Sequence, residues 1–418
     1  MLVHWIWLAT RPDITDTLKV EILRHFQDPE AAFFADEDSY SGIEDLAAEG
    51  IASLKDKNLR PAEEILRECE RADLHILTWQ DAAYPARLRS IADPPLVFYY
   101  KGRLPDFDGY PLIGVVGTRK ASAYGLTAAK RMGYQIAKCG GIVVSGMAYG
   151  IDGMAMRGAL TAGMPAVGIL GCGADMVYPL SNKVLFGDME RYGCIMSEFP
   201  PGTPPYKWNF PKRNRIISGM SCGVLVVEAP EKSGALITAS LALDQGRDVF
   251  VVPGNIDVPT FVGSNRLLRQ GAILAGTGWD ILSEYEGLYP DKVRRDDTPT
   301  HLKSYPDELE DTAKREIIQP KVAQKPAILE NKRPLKQKVD KKVIDKRGSS
   351  PYSDLNDNLP KLTEAERKIL SALESGERLA DDVIADTGLP AGQVLATLTL
   401  LEVKGLVRRL PGRRITLR

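Results

Sequence analysis

The chain has 418 residues and is 44% hydrophobic, which is enough for about two to four domains and at least one large core. Lysine and arginine together number 54, against 55 aspartate and glutamate residues, so bulk charge gives no argument for a nucleic-acid partner. The four histidines and five cysteines form neither a CxxC nor an HExxH pattern, which argues against a disulfide framework, a zinc site and metal catalysis.

The N-terminal residues 2–9, LVHWIWLA, are strongly apolar. This stretch is too short to span a bilayer, and Arg11 and a proline follow it with no small-residue cleavage pattern. We therefore predict a cytoplasmic protein with no membrane association. Apolar residues such as Leu18 and Ile22 follow at helical spacing, and residues 1–75 are predicted to form a small helical domain of the SAM or helix-hairpin-helix kind. Its cations are few and scattered, so we favour a structural or oligomerisation role over contact with a DNA backbone.

Between residues 112 and 285, short apolar runs alternate with helix-length amphipathic segments, which is the pattern of a parallel, doubly wound sheet. The predicted strands are LIGVV at 112, GIVVS at 141, AVGIL at 166, CIMSE at 194, GVLVVEA at 223 and DVFVVPG at 248. The predicted fold class is therefore α/β, with a core domain over residues 76–290 built on a parallel sheet. Ligands of such sheets bind outside the carboxyl ends of the strands, and glycine-bearing loops follow most of these strands, so we predict an anion pocket there.

Several residues of these loops are candidates for ligand binding. Arg119 directly follows a strand and a Gly-Thr pair, so its guanidinium can reach a phosphate at the strand end. Ser145 and Gly146 follow the next strand, where glycine allows close backbone approach to a ligand; a tight turn is the structural alternative. Gly234 and Thr238 lie at a predicted helix start, which fits backbone amides directed at phosphate.

The carboxylates of the same loops are interpreted as structural groups. Asp152 is predicted to be the N-cap of a helix rather than an acid catalyst. Glu198 and Glu228 end strands, and we interpret both as groups that orient arginines of the pocket. The chain has no GxGxxG, because GCGADM lacks the third glycine, and no Walker GxxxxGK[ST] motif. We therefore predict no catalytic residue, no cofactor and no ATPase activity.

The segment PPYKWNFPKRNRIIS, residues 204–218, combines three aromatic with four basic side chains. Pro211 is predicted to be the first helical residue. That start brings three cations close to the positive end of the helix dipole, namely Lys212, Arg213 and Arg215. We therefore expect an anion there, and phosphate accepts both the free helix amides and the arginine fork. Bases could stack on the aromatic side chains Tyr206, Trp208 and Phe210; a proline-rich surface loop with a solvated charge run is the alternative.

The C-terminal part is predicted to be a linker followed by a small domain. Residues 291–360 lose apolar periodicity and carry an acidic patch before a lysine-rich run, so we predict a flexible linker with no specific site. Residues 361–418 are predicted to form a winged helix, with Thr363 and Glu366 as a capping box before its first helix. The third helix has no cation before Lys404, so contact with phosphates or with a protein partner is expected rather than base reading. The arginines lie in the predicted wing, at Arg408, Arg409, Arg413 and Arg414.

Seven motifs occur in order along the core: GTR at 117, SGMAYGID at 145, SEFPPG at 197, FPKRNRIISG at 210, VVEA at 226, SGALIT at 233 and VPG at 252. Together with the lead-in YPARLRSIADPPLVFYYKG at 84–102, they resemble the DprA family, also called Smf, over about residues 75–285. The resemblance implies an extended Rossmann-like core that dimerises and binds single-stranded DNA. It also implies that the protein loads the recombinase RecA onto DNA taken up in natural transformation.

The resemblance also implies roles for single residues. The positions that match the family's phosphate-binding arginine, its lysine, its aromatic residue and its RN pocket are Arg119, Lys207, Phe210, Arg213 and Asn214. One position departs from the pattern, because the family usually shows a histidine in IDxxAHxGAL, where this chain has IDGMAMRGAL with Met156. Methionine cannot transfer protons, so this position gives no support to a hydrolytic role, whereas DNA binding does not depend on it.

Two functions of different classes stay open. The first is a non-enzymatic binder of single-stranded DNA and recombinase loader, whose affinity falls with salt. The second is a nucleotide enzyme, because EAPEKSGALIT with Glu228 is distantly similar to a region of the lysine-decarboxylase-like phosphoribohydrolases, although their PGGxGT loop is absent. We favour the binder, because aromatic and basic residues interleave as single-strand binding requires.

Overall fold

The structure is a computed structural model. It describes residues 1–296 and, in the C-terminal part, residues 364–373, 378–389, 394, 397–398, 401, 406–410 and 414–417. Contacts divide the chain into two compact units between Gln324 and Lys325. The predicted linker lies outside the described residues from position 297 onward. No helix in the described part is long and apolar enough to cross a membrane.

The first unit begins with six short helices. They are α1 (Leu2–Ala9), α2 (Asp16–Phe26), α3 (Pro29–Phe34), α4 (Glu37–Tyr40), α5 (Ala48–Lys55) and α6 (Arg60–Arg71). The apolar N-terminal segment is therefore a helix of this bundle, and Trp7 at its centre is fully buried. Helix α2 starts where Thr15 accepts a hydrogen bond from the Leu18 amide, as an N-cap should. The predicted helical N-terminal part of the fold is confirmed.

A nine-stranded sheet follows the helices. Its strands are β1 (His75–Thr78), β2 (Val97–Gly102), β3 (Leu112–Val116), β4 (Ile142–Ser145), β5 (Ala166–Ile169), β6 (Cys194–Ser197), β7 (Gly223–Val226), β8 (Asp248–Val251) and β9 (Ile273–Leu274). The six predicted strands are confirmed as β3 to β8. The sequence analysis did not assign the antiparallel pair β1 and β2, which extends the sheet beyond β6.

The strand order is β1-β2-β6-β5-β4-β3-β7-β8-β9, and β3 to β9 are parallel. The chain proceeds outward from β3 to β6 and then returns, so that β7 pairs with the other side of β3. The direction of winding therefore changes between β3 and β7. In open α/β sheets this switch point is where ligands bind.

Helices cover both faces of this sheet. They are α7 (Ala86–Arg89), α8 (Ala123–Lys138), α9 (Ile151–Thr161), α10 (Lys183–Tyr192), α11 (Asn209–Met220), α12 (Gly234–Asp244), α13 (Val262–Arg269) and α14 (Trp279–Leu282). Successive strand residues enter opposite cores, since Val115 shares one core with α8 and α9 while Val116 shares the other with α11 and α12. The predicted α/β class with a parallel sheet is confirmed.

The second unit contains α15 (Glu364–Leu373), α16 (Ala380–Thr387) and three short antiparallel strands. These are β10 (Arg378–Leu379), β11 (Val407–Leu410) and β12 (Arg414–Leu417), in the order β10-β12-β11. Helix α16 ends at Gly388, where the positive φ of 61° suits glycine. Apolar side chains of the helices and of the β11–β12 hairpin form one core. The predicted winged helix is confirmed.

Part of the prediction for this unit lies outside the described residues. This holds for Thr363 and the Glu366 side chain of the predicted capping box, and for most of the third helix. Of the wing arginines, Arg408 is exposed, whereas Arg413 and the side chains of Arg409 and Arg414 are outside the described part.

Candidate nucleic-acid interface

The loops that follow the parallel strands leave the sheet at one edge, which we call the rim. It consists of residues 117–122, 146–150, 170–179, 198–208 and 227–233. The loops after β3 and β7 meet at the switch point, where the Thr118 amide donates a hydrogen bond of 2.7 Å to the Glu228 carbonyl. Three of the ten predicted site residues, Arg119, Gly146 and Lys207, therefore lie in these loops, and the others lie in the adjoining strand and helices.

Arg119 is exposed at the switch point. Its guanidinium carbon lies 4.9 Å from the centroid of the Phe210 ring, within the range of a cation–π contact. No described residue forms an ion pair or a hydrogen bond with the Arg119 side chain. A guanidinium stacked on a ring keeps its N–H groups at the edge of the stack, so this fork is available to a phosphate.

The ring of Phe210 is held in place from two sides. The preceding residue, Asn209, donates a side-chain hydrogen bond of 3.0 Å to the carbonyl of Gly171. A Cβ added at Gly171 would lie 2.9 Å from Phe210 Cδ1, so the close approach of the ring depends on glycine there. The ring of Tyr178 lies 5.5 Å from the Phe210 ring. The sequence analysis missed Tyr178, although its loop was among the predicted glycine-bearing loops.

Lys207 and its two aromatic neighbours are all exposed. Tyr206 is 44% and Trp208 69% accessible to solvent, and Lys207 lies between them in the chain. Lys207 has no ion pair with any residue that the structure describes. This lysine therefore carries an uncompensated positive charge on the rim.

The segment that carries Lys207 is anchored by the loop after β5. The carboxylate of Asp175 accepts hydrogen bonds of 3.0 and 3.1 Å from the Gly202 amide, and the Gly173 amide donates to the Thr203 carbonyl at 2.9 Å. Asp175 was not predicted as a site residue. The partner is 27 positions away, so no local pattern reveals the contact.

Helix α11 begins at Asn209, so the prediction that it starts at Pro211 was wrong by two residues. Pro211 is the third helical residue, where its missing N–H still costs no hydrogen bond, because the first four amides have no partner within the helix. The earlier start places Arg213 and Arg215 in the second turn. The expected conflict between these cations and the helix dipole is therefore weaker than predicted.

Arg213 is buried, with only 3% of its surface accessible, so the prediction that it contacts a ligand requires correction. Its Nη1 donates hydrogen bonds to the carbonyls of Gly146, at 3.0 Å, and of Ile169. Burial lowers the pKa of Arg213 to about 10, which Asp152 opposes and Arg119 reinforces. Arg213 thus connects α11 to the ends of β4 and β5 and positions the rim.

Arg215 is also buried, and protein carboxylates rather than a phosphate neutralise it, which corrects its prediction as a DNA contact. The guanidinium donates to the two oxygens of Glu198 at 2.9 and 2.8 Å and to Asp16 at 3.3 Å. Its Nε lies 2.9 Å from the carboxylate of Asp93. Burial disfavours the charged form, but these carboxylates outweigh it and raise the pKa of Arg215. Lys212 also pairs with Asp16, at 2.8 Å.

Ser145 and Gly146 are buried and serve the fold, so neither reaches a surface ligand. The Ser145 hydroxyl donates a hydrogen bond of 2.6 Å to a main-chain carbonyl of β3. The Gly146 amide donates to the carboxylate of Asp152 at 3.2 Å, and a Cβ there would meet the guanidinium of Arg213. Asp152 is the second residue of α9, whose N-cap is Gly150, so the capping prediction was wrong by two positions. Burial raises the pKa of Asp152.

Asn214 and Gly234 lie together, and the Asn214 side-chain amide is 3.5 Å from the Gly234 carbonyl. Gly234 is exposed, and a Cβ added there would meet no atom within 4 Å, so a ligand has room beside it. Thr238 is buried and donates back to the Gly234 carbonyl at 3.3 Å. Thr238 therefore stabilises the start of α12 and is not available for ligand contact.

The two strand-end glutamates have different partners. Glu198 pairs with Arg215, in agreement with its interpretation as an arginine-orienting group. The carboxylate of Glu228 is fully buried and accepts hydrogen bonds from the Ser122 amide and, at 2.9 Å, from the Ser122 hydroxyl. Glu228 thus holds the start of α8, and its interpretation as a partner of an arginine was wrong.

An open, doubly wound sheet with helices on both faces defines a Rossmann-like α/β protein, and Arg119 and Phe210 meet at its switch point. Sequence comparison then gives the family. The family model described as DNA recombination-mediator protein A matches residues 75–286, and that of the DprA winged helix domain matches residues 354–413. The chain belongs to the DprA/Smf family, as the seven motifs predicted.

Individual relatives agree with this assignment. Protein Smf of Synechocystis is 33% identical over 417 residues, which cover 98% of this chain and 97% of that protein. DNA processing protein DprA of Bacillus subtilis is 44% identical over 201 residues, which cover 48% of this chain and 68% of that protein. The X-ray structure of DprA from Streptococcus pneumoniae superposes with a TM-score of 0.61 at 29% identity, covering 68% of this chain and 98% of that chain.

Proposed function

We propose that the rim binds single-stranded DNA and that Arg119 and Lys207 contact its phosphates. The observation that carries this proposal is that both side chains are exposed and that neither has a carboxylate partner among the described residues. Every other cation of the 204–218 segment pairs with a carboxylate or is buried. Phe210 holds the Arg119 guanidinium as a flat surface on which a base can stack while its edge binds phosphate.

Single-stranded rather than duplex DNA fits this arrangement. A guanidinium plane or an aromatic ring can stack only on a base that is not already stacked inside a duplex. The open space beside Gly234, next to Asn214, offers room for the strand to continue along the rim. Arg213 and Thr238 are buried, so we expect neither to touch the strand.

Fluorescence anisotropy of a labelled oligo-dT and of the matching duplex, measured across a salt series, tests this proposal. We expect tighter binding of the single strand and a loss of affinity in both Arg119→Ala and Lys207→Ala. Arg24→Ala is a matched control, because Arg24 is exposed on the helical domain and pairs with Glu21. Equal binding of duplex and single strand, or full affinity in both rim variants, would contradict the proposal.

We further infer that the bound strand is delivered to RecA during natural transformation. Family membership supports this role, since relatives from Bacillus subtilis and Streptococcus pneumoniae are named DNA processing protein DprA. Single-stranded DNA and RecA as partners also agree with the predicted cytoplasmic location. At limiting RecA, the protein should accelerate DNA-dependent ATP hydrolysis by RecA, and Arg119→Ala should not. Unchanged hydrolysis together with intact strand binding would remove only the loading role.

The predicted homodimer is proposed to form through the edge strand β9. Among the strands that the structure describes, β9 pairs with β8 alone, and its Ile273 and Leu274 are 38% and 57% exposed. An unpaired edge with apolar side chains can continue its sheet into a second copy about a two-fold axis. Sedimentation should show a dimer that Leu274→Glu converts to a monomer, whereas Leu288→Glu, at another exposed leucine, should leave it intact. If the Leu274→Glu variant still sediments as a dimer, the contact between the two copies lies elsewhere.

The alternative of a nucleotide enzyme depended on Glu228, and the environment of this residue does not support it. Both oxygens of the buried Glu228 carboxylate are bound to Ser122, so they are not directed at a substrate. Met156 is also fully buried in the apolar core. Turnover of a nucleoside monophosphate that disappears in Glu228→Ala would restore the alternative, and we expect none.

A further inference from the structure

Two exposed aromatic rings lie next to each other at the start of α11. The rings of Tyr206 and Trp208 are stacked, with centroids 4.7 Å apart and an interplanar angle of 9°. Trp208 is 69% exposed, whereas Trp5 and Trp7 are buried and the remaining two tryptophans of the chain are half-buried. One face of each ring covers the other, so the outer face of Trp208 remains open to solvent.

The backbone holds these rings in a fixed turn. The Tyr206 amide donates a hydrogen bond of 2.8 Å to the Pro204 carbonyl, and the Asn209 amide donates one of 3.1 Å to the Tyr206 carbonyl. Just before this turn, the Asp175 carboxylate accepts hydrogen bonds from the Gly202 amide. The stacked pair of Tyr206 and Trp208, which we call the platform, is therefore formed before a ligand arrives. This reduces the conformational entropy that the protein loses on binding.

The platform lies next to the Arg119–Phe210 stack in the chain. Trp208 is two residues before Phe210, whose ring carries the Arg119 guanidinium, and Lys207 lies between the stacked rings in the chain. Lys207 has no carboxylate partner among the described residues. The open face of Trp208 and the uncompensated Lys207 thus lie within three residues of Phe210 in the chain, so aromatic, basic and planar surfaces are grouped as the bases and phosphates of a single strand require.

We propose that the open face of Trp208, backed by Tyr206, is a second base-stacking platform. It binds the nucleobase next to the one at the Arg119–Phe210 stack, and Lys207 binds the phosphate between them. This inference rests on the proposed function, and it adds a base contact to the phosphate contacts of Arg119 and Lys207. Because every base has a π face, the platform tolerates any sequence.

Intrinsic fluorescence of the full chain tests the platform, with anisotropy of labelled oligo-dT measured beside it. We expect oligo-dT to quench the tryptophan emission of the wild-type protein. Trp208→Ala should lose this quenching and bind about tenfold more weakly. Trp208→Phe should lose the quenching but bind within about threefold of wild type, because it keeps an aromatic face. Trp79→Phe, at a half-buried tryptophan, should retain the quenching.

Thermal unfolding serves as the folding control, and the exposed Trp208 should tolerate substitution without a change in Tm. If anisotropy shows tight binding while Trp208→Ala binds like wild type, the platform is wrong and the proposed function stands. If the wild-type protein does not bind oligo-dT at all, the proposed function fails and the platform fails with it. The two failures are therefore distinguishable by the wild-type anisotropy alone.

Discussion

The basic residues of the rim fall into two groups with opposite environments. Arg119 and Lys207 are exposed and lack a carboxylate partner among the described residues. Arg213 and Arg215 are buried, and protein groups accept their hydrogen bonds, namely main-chain carbonyls from Nη1 of Arg213 and carboxylates from Arg215. The comparison teaches that a run of cations does not define a binding site by itself. What decides the role of each cation is whether the protein supplies its own acceptor.

The strongest test of this comparison is Arg215→Ala. Removing the guanidinium leaves the buried Glu198 carboxylate without its hydrogen-bonded arginine and with Lys212 at 3.8 Å, which costs about 3–5 kcal/mol of the free energy of unfolding. Urea denaturation should show this loss, whereas Arg119→Ala should change the unfolding free energy by less than about 0.5 kcal/mol. An unchanged free energy of unfolding in Arg215→Ala would mean that its ion pairs contribute nothing to stability. The buried and the exposed cations would then not differ in this respect.

Asp16→Asn should lower stability less, by about 1–3 kcal/mol, because the lost hydrogen bonds join charged groups but Asp16 is only partly buried. Burial opposes its ionisation, yet Lys19, Lys212 and Arg215 hold the pKa of Asp16 below the ordinary value. Its contribution is therefore fully present at neutral pH and is lost as the pH falls through that lowered pKa.

Denaturation of Asp16→Asn and wild type across a pH series measures this difference. The two curves should converge in acid, where wild-type Asp16 is also neutral. Asp38→Asn, at an exposed aspartate of the same helical domain, serves as the control and should follow wild type throughout. A stability gap that persists unchanged at low pH would show that the ion pairs of Asp16 are not its cause.

Among the exposed cations, Arg119 should show the larger effect on binding. Arg119→Ala should weaken binding of oligo-dT about tenfold or more, since hydrogen bonds to charged groups contribute about 1.5–3 kcal/mol. Arg119→Lys should recover only part of the affinity, because lysine has neither the planar fork nor the same stack on Phe210. Anisotropy measures the affinity of both variants. Wild-type affinity in Arg119→Lys would show that Arg119 acts only as a point charge.

Lys207→Ala should give the smallest effect, visible mainly in the salt dependence. Each phosphate that a cation neutralises contributes about −0.7 to the slope of log affinity against log salt for a single strand. Lys207→Ala should therefore make the slope shallower by about that amount. Lys55→Ala, at an exposed lysine that pairs with Glu37, should not change the slope.

The core strands could be predicted because each is a short apolar run between glycine-bearing loops, as in LIGVV and AVGIL. Their order places the loops on one edge, where Arg119 lies, and the Asn214 side-chain amide lies beside the Gly234 carbonyl. The binding roles of these three residues stay predictions. The start of α11 was misplaced because a proline is tolerated anywhere in the first helical turn, and its position alone does not mark the first residue.

The burial of Arg213 and Arg215 was not predictable from local sequence. Arg215 meets Asp16, which lies 199 positions earlier, and Arg213 reaches the carbonyl of Ile169, 44 positions earlier. No periodicity within 204–218 reveals such partners. The same limit applies to Glu228, whose carboxylate meets Ser122 across 106 positions.

The ion pairs of Asp16 with Lys212 and Arg215 join two parts of the chain. The acid belongs to the helical bundle and the bases belong to the Rossmann-like core. A core cut free of residues 1–75 would keep the bases and lose the acid, which makes it less stable and more basic beside the rim. The helical domain therefore supplies a negative charge that balances the basic residues beside the rim, and exchanging it between relatives requires an equivalent carboxylate at this one position.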